Sequence, residues 1–471
     1  MRLIQKSLII TGLVILSLSQ TACDKFLSVD PPYTQDVENF FQTPEDYDRA
    51  LTGAYDMLQA SFLTMWIGEI ASDNAIAGGE SVNDSPGLHQ IDNMTHGGVN
   101  VELRNVFRWN YTGLTRANYI LENKDNIDFP GKAHIIAEAK FLRAYYYFEL
   151  VKYFGDVPLI IDRRIGIEEA LQIARSPKAE VYAQIEKDLK DASEVLNPVA
   201  SQKGRATKGA AMSFLGKVYL YQNKFTEAAA TFDEVIASGS YSLTPSYVDL
   251  FSVANENNSE TVFDVEYTGL EGGSYGCLIC LEGNAAVGFQ GIRQYNGPVY
   301  GDGNSYNLPT QALYDAFSSI DGRRAATVLD IDAFIATQPN AASITYAIGA
   351  GGHTGYYNNK YIKRQGEIGL PDNDLTSPVN YRVMRYADVL LMAAEAHYQL
   401  GHTSTAQQLV NQVRGRASVP GIPVNSIEVI YKERRFELSG EGLRFFDLVR
   451  TGQAATLLFL TVLKEFVLLN T

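Results

Sequence analysis

The stretch KGAAMSFLGKVYLYQNKFTEAAATFDEVIA, residues 208–237, decides the fold that we predict for this chain. Its large and small apolar residues recur at the spacing of a tetratricopeptide repeat: Met212, Leu215, Gly216, Tyr219, Ala228, Phe232 and Val235. The small Gly216 and Ala228 let two antiparallel helices approach closely, while Tyr219 and Phe232 fill the space around them. Because such a repeat cannot bury its apolar face alone, the sequence predicts several stacked helix pairs.

Other segments show helical periodicity as well. A first helix is predicted from the capping Thr43 and the following Pro44, and further helices at 134–154 and 178–196. A looser second helix pair is predicted at 386–401 and 404–416. In the segment 134–154, one apolar stripe is formed by Ala137, Phe141, Ala144, Phe148 and Val151, with most charged residues off it. We therefore expect a mainly α fold of tetratricopeptide-like helical hairpins, with long irregular loops and a few short strands.

Three stretches between the helices have a different composition. Residues 62–104, 265–310 and 345–380 are rich in Gly, Asn, Ser and aromatic residues, and 261–267 alternates like a short strand. Loops of this length in a compact protein are usually functional or disordered, and the many tyrosines argue against disorder. We expect the function to reside in these loops.

The N-terminus has the order of residues of a bacterial lipoprotein signal. A basic start is followed by the apolar run 8–18, the small Thr21 and Ala22, and then Cys23, whose thiol would be acylated after cleavage. The apolar run is too short to span a bilayer. Gln20 stands where an aliphatic residue is usual, so an ordinary cleaved signal with a free Cys23 is the alternative.

The predicted organisation has three parts. We assign a lipoprotein signal peptide to 1–22, a lipidated tether to 23–40 and one helical domain to 41–471. Within that domain, loop insertions belong to the part before residue 261, and ligand loops with closing helices belong to the part from 261 onward.

Composition limits the classes of partner. The formal net charge of −15 disfavours nucleic acid and anionic lipid headgroups as partners. Cys277 and Cys280 form an isolated C-x-x-C without the second pair or histidines that a zinc site would need. We interpret them as a loop pair, either free or locally bridged.

An ordered series of motifs resembles the SusD/RagB family of outer-membrane nutrient-binding lipoproteins. The match is strongest at AEAKFLRAYYYFEL, residues 137–150, and continues at FGDVPL, residues 154–159. The other matching segments are CDKFL (23–27), FQT (41–43), ALTGAY (50–55), GRA (204–206), the stretch from YR (381–382) to EA (395–396), NQVR (411–414), RA (416–417), ERRFEL (433–438), EGLR (441–444) and DLVR (447–450).

The resemblance implies a helical fold with a ligand face made by the loops. It also implies a glycan ligand, less often a peptide, and a TonB-dependent barrel transporter of the SusC type as the partner. The protein would be lipid-anchored in the outer membrane and face outside. The chain departs from the family at its apolar C-terminal segment 456–471, which is typical of a truncated or frameshifted coding sequence.

Several polar motifs could carry catalysis or bind metal, and we favour structural interpretations for each. The carboxylates at 433, 437 and 441 lie on one helical face beside arginines, as in a structural ion-pair network. The G-x-S-x-G pattern at 272–276 lacks a following helix, so a flexible glycine loop is the better interpretation. Incomplete ligand sets are present at His89, Asp92 and His96, at 302–304 and at 372–374. We therefore predict no catalytic residue, metal site or cofactor.

Aromatic residues in the loops are the better candidates for ligand binding. A tyrosine or tryptophan offers an apolar ring to the C–H face of a sugar, and neighbouring polar groups can bind its hydroxyls. The candidate ligand-binding residues are Trp66, Asp73, Asn74, Tyr275, Tyr295, Tyr300, Tyr306, Tyr356 and Tyr357. Trp109, beside a predicted helix, is expected in the core instead.

The leading hypothesis is a non-catalytic, lipid-anchored protein that captures oligosaccharides on one loop face and passes them to a transporter. One alternative is a glycosidase on a helical scaffold, which needs two carboxylates flanking a cleft. The other is a repeat scaffold that holds peptides in its grooves.

Overall fold

The computed structural model describes residues 40–161, 163–271, 273–367 and 374–458, and about half of these residues are helical. Within these ranges the α-helices are α1 (Pro44–Asp56), α2 (Phe62–Ile70), α3 (Pro86–Asp92), α4 (Val101–Glu122), α5 (Lys132–Phe154), α6 (Ile167–Ala170), α7 (Lys178–Val195), α8 (Lys208–Tyr221), α9 (Phe225–Ala237), α10 (Ala285–Phe289), α11 (Gln311–Ala316), α12 (Arg323–Thr327), α13 (Ile331–Ala336), α14 (Tyr386–Gln399), α15 (Thr403–Arg416), α16 (Ile427–Leu438) and α17 (Arg444–Arg450). The predicted mainly α fold is confirmed. None of these helices is long and apolar enough to cross a bilayer.

Short strands in the same ranges pair two by two. They are β1 (Ala75–Gly78), β2 (Thr261–Val265), β3 (Ile292–Arg293), β4 (Asp302–Gly303), β5 (Tyr306–Pro309), β6 (Val328–Asp330), β7 (Tyr356–Asn358) and β8 (Tyr381–Arg385). The pairs β1–β5, β2–β8 and β6–β7 are antiparallel, and β3–β4 is parallel. The strand predicted at 261–267 is β2. Register in the first pair sets Gly78 opposite Tyr306, so distant loops meet there.

Local sequence signals explain where α1 begins. The Thr43 side chain accepts a hydrogen bond from the Asp46 N–H, and the Asp46 carboxylate accepts one from the Thr43 N–H at 2.9 Å. Pro44 occupies the first helical position, where its missing N–H costs nothing. The predicted start of this helix is confirmed.

The helical hairpin α8–α9 has the close packing that its small residues predict. A Cβ on Gly216 would lie 2.5 Å from Cε1 of Phe232, so only glycine fits there without movement. Ala228 and Phe232 are fully buried. The hairpin packs on both sides, with α8 against α7 and α9 against α14, and α14 packs in turn on α15 and α16. The predicted stacking of helix pairs is confirmed.

Helix α5 was predicted to be amphipathic, but in the structure it is buried on nearly all sides. It packs against α1, α4 and α7, so charged residues that fall off the apolar stripe are also inside. Arg143 donates two hydrogen bonds, of 2.7 and 2.8 Å, to the carboxylate of Asp188. Lys152 Nζ lies 2.6 Å from Glu149 Oε1. Pairing offsets the desolvation of these charges.

A buried ion-pair network joins α16 to the loops, and it contains the carboxylates at 433, 437 and 441. Arg385 Nη1 lies 2.6 Å from Glu437 Oε1, and Lys360 Nζ lies 2.6 Å from Glu441 Oε1. Burial alone would raise the pKa of Glu437, yet Arg416, Arg385 and Arg323 hold it well below its ordinary value. The network is structural, as predicted, but it is buried rather than exposed on a helix surface. The prediction that all three carboxylates share one helical face was wrong for Glu441, because α16 ends at Leu438.

Several predictions fall on residues outside the described ranges. These are the signal peptide and most of the tether with Cys23, Gly272 of the G-x-S-x-G pattern, Asp372 and Asn373, and the segment 459–471. The assigned extent of the helical domain stays a prediction.

Candidate ligand-binding surface

Four aromatic side chains from separate parts of the chain meet in one cluster. Phe289 lies 5.0 Å from Trp66, 6.2 Å from Tyr306 and 6.1 Å from Tyr275, measured between ring centroids. We name this set, Trp66, Tyr275, Phe289 and Tyr306, the aromatic cluster. Three of its members were predicted as ligand-binding residues, and the structure brings those three together. Tyr275 is 59% exposed, whereas Trp66 and Tyr306 are 6% and 8% exposed.

The three buried members of the aromatic cluster, Trp66, Phe289 and Tyr306, lie on helices or strands. Trp66 lies on α2, within a stretch predicted as an irregular loop; that interpretation was wrong, because the apolar segment 62–70 forms a buried helix. Tyr306 lies on β5, opposite Gly78. Phe289 ends α10, where a Cβ on Gly288 would lie 2.1 Å from the Asp374 carbonyl oxygen. Glycine therefore allows α10 to pack directly on the backbone of the neighbouring loop.

Tyr275, the exposed member of the aromatic cluster, lies in a short loop that contains a disulfide. Cys277 and Cys280 form a disulfide, which decides between the free and bridged alternatives left open by the sequence. Tyr275 donates a hydrogen bond from its hydroxyl to Asp374 Oδ2 at 3.2 Å. Ser274 Oγ accepts a hydrogen bond from the Gly276 N–H, and only a short 3₁₀ turn at 278–280 follows. Tyr275 in this loop is largely exposed to solvent.

Polar side chains lie next to Tyr306 in the aromatic cluster. Asp84 Oδ2 accepts a hydrogen bond from the Glu80 N–H at 3.0 Å, and Glu80 Oε2 lies 3.0 Å from Arg293 Nη2. Burial, and next the hydrogen bond with Asp84, raise the pKa of the Tyr306 phenol above its ordinary value. The surface thus combines an exposed ring with fixed hydrogen-bond acceptors, the combination that suits a ligand with apolar faces and hydroxyl groups.

Asp73 and Asn74 serve a different purpose in the structure. Asp73 Oδ1 lies 2.7 Å from Arg444 Nε, and the Asn74 side chain accepts a hydrogen bond from Arg435 Nε at 2.8 Å. Burial would raise the pKa of Asp73, but Arg444 and Arg435 lower it. Asn74 is fully buried. Both side chains fix the loop after α2 to α16 and α17 and do not join the aromatic cluster.

The remaining predicted tyrosines lie in two other apolar clusters. Tyr295, Tyr300 and Tyr357 belong to one, and Tyr356 stacks on Tyr314 with 4.7 Å between centroids in the other. All four predicted tyrosines are less than a tenth exposed. Trp109 is buried in the main core, as predicted. These side chains are buried packing residues, whereas Tyr275 is exposed.

Phe289, Asp84 and Arg293 were missed by sequence reasoning. The available signal was the segment NAAVGF, residues 284–289, in which Asn284 caps α10 by accepting a hydrogen bond from the Ala286 N–H. Nothing local marks Asp84 or Arg293 as part of this surface, because Tyr306 reaches Asp84 only through the β1–β5 pairing, and Arg293 pairs with Glu80 far along the chain.

Within the incomplete ligand set at His89, Asp92 and His96, the carboxylate has a structural contact. Asp92 accepts a hydrogen bond from the Ala77 N–H at 2.8 Å, which fixes the end of α3 to β1. Across the described ranges, no three His, Cys, Asp or Glu side chains are grouped so that they could hold a metal ion.

Comparison with known proteins identifies relatives of this chain. Residues 221–459 match a profile described as the SusD family, and residues 25–220 match one described as "Starch-binding associating with outer membrane". SusD-like protein P2 of Formosa agariphila is 30% identical and aligns with 93% of this chain and 89% of its own length.

Solved structures show the same fold. A structure named "Laminarin binding SusD-like protein" has a TM-score of 0.81 and 34% identity over 89% of this chain and 93% of that one. Surface glycan-binding protein A from Bacteroides thetaiotaomicron, in complex with laminarihexaose, has a TM-score of 0.79 and 25% identity. It covers 88% of this chain and 91% of its own.

Proposed function

Because this chain belongs to the SusD family, we propose that it binds oligosaccharides at the cell surface without catalysis and delivers them to a SusC-type TonB-dependent transporter. The observation that carries the proposal is the exposed ring of Tyr275, which lies next to Phe289 and donates a hydrogen bond to the carboxylate of Asp374. An exposed aromatic face stacks on the C–H groups of a sugar, and carboxylates accept hydrogen bonds from its hydroxyls.

Two observations favour binding over catalysis. The solved relatives are named for binding laminarin or surface glycans. The most conspicuous carboxylates in the sequence, Glu433, Glu437 and Glu441, are buried in ion pairs and do not face solvent. A glycosidase would need two accessible carboxylates at a set separation. Release of reducing sugar by the purified protein would decide for that alternative.

Oligosaccharide binding is tested by calorimetry on the chain without its signal peptide, with a panel led by laminari-oligosaccharides. We expect saturable binding, weakened about tenfold by Tyr275→Ala because one ring–sugar contact contributes about 1.4 kcal/mol. Phe107→Ala is the matched control, because Phe107 is an exposed aromatic on α4 outside the aromatic cluster. No ligand in a broad glycan panel, or equal effects of the two variants, would contradict the proposal. If both variants bound a peptide, the alternative of a peptide-binding repeat scaffold would be favoured.

The proposal also includes a lipid anchor and delivery of the ligand to the transporter. We propose that Cys23 carries the lipid that holds the protein in the outer membrane, facing outside, next to its transporter. Outer-membrane fractions of the source bacterium should contain the protein together with a TonB-dependent barrel. Cys23→Ser should release the protein into the soluble fraction, and an unchanged distribution would contradict the anchor.

A further inference from the structure

Two histidines and one carboxylate form a hydrogen-bonded chain where α9, α14 and α15 meet. His397 Nε2 lies 3.0 Å from Asp233 Oδ1, and His397 Nδ1 lies 3.2 Å from His402 Nδ1. The His397 side chain is buried, whereas Asp233 and His402 are exposed. The two Nδ1 atoms therefore lie opposite each other near the protein surface.

The backbone holds the two rings close together. Helix α14 ends at Gln399, and Gly401, with a φ of +81°, turns the chain back toward the helix. The His402 N–H then donates a hydrogen bond to the His397 carbonyl oxygen at 2.9 Å. His402 stands at the N-cap of α15, but its side chain does not cap that helix. The ring of His402 can therefore take a ligand in place of its contact with His397 without disturbing the helix start.

Asp233 determines which nitrogen of His397 carries the proton. An ionised carboxylate only accepts hydrogen bonds, so a neutral His397 ring donates from Nε2 and keeps a lone pair on Nδ1. Metal-binding histidines have the same arrangement, in which a carboxylate accepts the N–H opposite the metal-binding nitrogen. Among the described residues, the Asp233 carboxylate pairs with His397 alone, so no Lys or Arg competes for it.

The distance between the two Nδ1 atoms suits a bound metal ion. Zinc binds imidazole nitrogens at about 2.0–2.1 Å, which sets two nitrogens of a tetrahedral site about 3.3 Å apart. The observed distance is 3.2 Å, so a small rotation of the exposed His402 ring would direct both lone pairs at one ion. Water would fill the remaining positions, because no third His, Cys, Asp or Glu of the described residues completes a ligand group here. Neutral imidazole suits Zn²⁺, Cu²⁺ and Ni²⁺, whereas Ca²⁺ and Mg²⁺ require oxygen ligands.

We propose that His397 and His402 bind one divalent transition-metal ion through their Nδ1 atoms, and that Asp233 is the positioning residue that orients His397. The ion replaces the hydrogen bond between the rings, and the His402 proton moves from Nδ1 to Nε2, so that this ring also binds as a neutral ligand. Affinity should be highest for Cu²⁺, with Ni²⁺ and Zn²⁺ below it. The site lies on other elements than the aromatic cluster, and its existence does not depend on oligosaccharide binding.

The test is calorimetric titration of the untagged chain without residues 1–23, so that the Cys23 thiol is absent, with CuCl₂, NiCl₂ or ZnCl₂. We expect one Cu²⁺ per chain, with two nitrogen ligands in its electron paramagnetic resonance spectrum. His402→Ala should weaken Cu²⁺ binding at least about tenfold, because it removes one of the two protein ligands. His96→Ala is the matched control, because His96 is also exposed, and it should leave the affinity unchanged.

Two variants test the orienting role of Asp233. Asp233→Ala should weaken Cu²⁺ binding about 10- to 100-fold, as is typical when the partner of a metal-binding histidine is removed. Asp233→Asn should restore part of this loss, because its amide oxygen still accepts the hydrogen bond from His397 Nε2. Equal losses in the two variants, or no loss in either, would overturn the orienting role.

Three results would overturn the metal site itself. The first is no Cu²⁺ binding at metal concentrations up to about 1 mM. The second is Cu²⁺ binding that His402→Ala leaves unchanged. The third is binding that His96→Ala weakens instead, because the ion would then occupy the polar residues at 89–96.

Discussion

Asp264 on β2 is a buried carboxylate whose replacement should stabilise the protein at neutral and higher pH. It is 2% exposed, and its Oδ1 has no hydrogen-bond partner among the described residues. The pKa of Asp264 is raised to about 7, because burial and the neighbouring carboxylates of Glu266 and Glu256 raise it by more than Arg382 lowers it. The charged form is therefore disfavoured in the folded state.

The size and sign of the effect follow from proton linkage. The unfolded chain has an Asp pKa of about 3.9, so the folded protein binds the Asp264 proton more tightly. This contribution to stability is complete below about pH 4 and is lost as pH rises to about 7. A shift of about three pKa units corresponds to about 4 kcal/mol. Asn cannot ionise, so Asp264→Asn should avoid that loss.

Urea unfolding of wild type and Asp264→Asn between about pH 4.5 and pH 8 measures the effect. We expect a stability difference near zero at the lower pH that grows to several kcal/mol in favour of the variant. Asp188→Asn is the matched control, because Asp188 is equally buried but paired with Arg143. It should destabilise the protein by about 3–5 kcal/mol at pH 8, since it leaves a buried guanidinium unpaired. Destabilisation by Asp264→Asn at pH 8, or a difference independent of pH, would refute the reasoning.

Two other predictions concern the bridged loop and the helical hairpin. Replacing Cys277 and Cys280 by Ser should weaken oligosaccharide binding about threefold in calorimetry, because the exposed ring of the aromatic cluster loses its restraint; unchanged affinity would contradict this. Gly216→Ala should cost about 1–3 kcal/mol in urea unfolding, because the added Cβ would meet Phe232. Gly415→Ala, in open space on α15, should instead stabilise by about 0.5–1 kcal/mol, and equal effects of the two would count against the packing argument.

The helices could be predicted because their signals are local. Thr43, Pro44 and Asp46 mark the start of α1 within four residues, and the repeat spacing at 208–237 specifies both helices of the hairpin. Helix α2 escaped prediction because its residues 62–70 are all buried, which removes the polar face that gives a helix its period.

The candidate site could be predicted only in part. The abundance of loop tyrosines pointed to aromatic contacts, but exposure depends on partners far along the chain. Tyr306 is covered because β5 pairs with β1, and Asn74 is buried because Arg435 on α16 reaches it. Tyr275 is exposed because its short bridged loop lies over Phe289. No periodic pattern in the sequence encodes these long-range contacts.

A crystal structure with a bound oligosaccharide tests the central claim most directly. We expect a sugar ring stacked on the exposed face of Tyr275, with hydroxyl groups within hydrogen-bond distance of Asp84 or Asp374. Oligosaccharide bound only in the grooves between the helical hairpins, with Tyr275 free of contact, would contradict the claim.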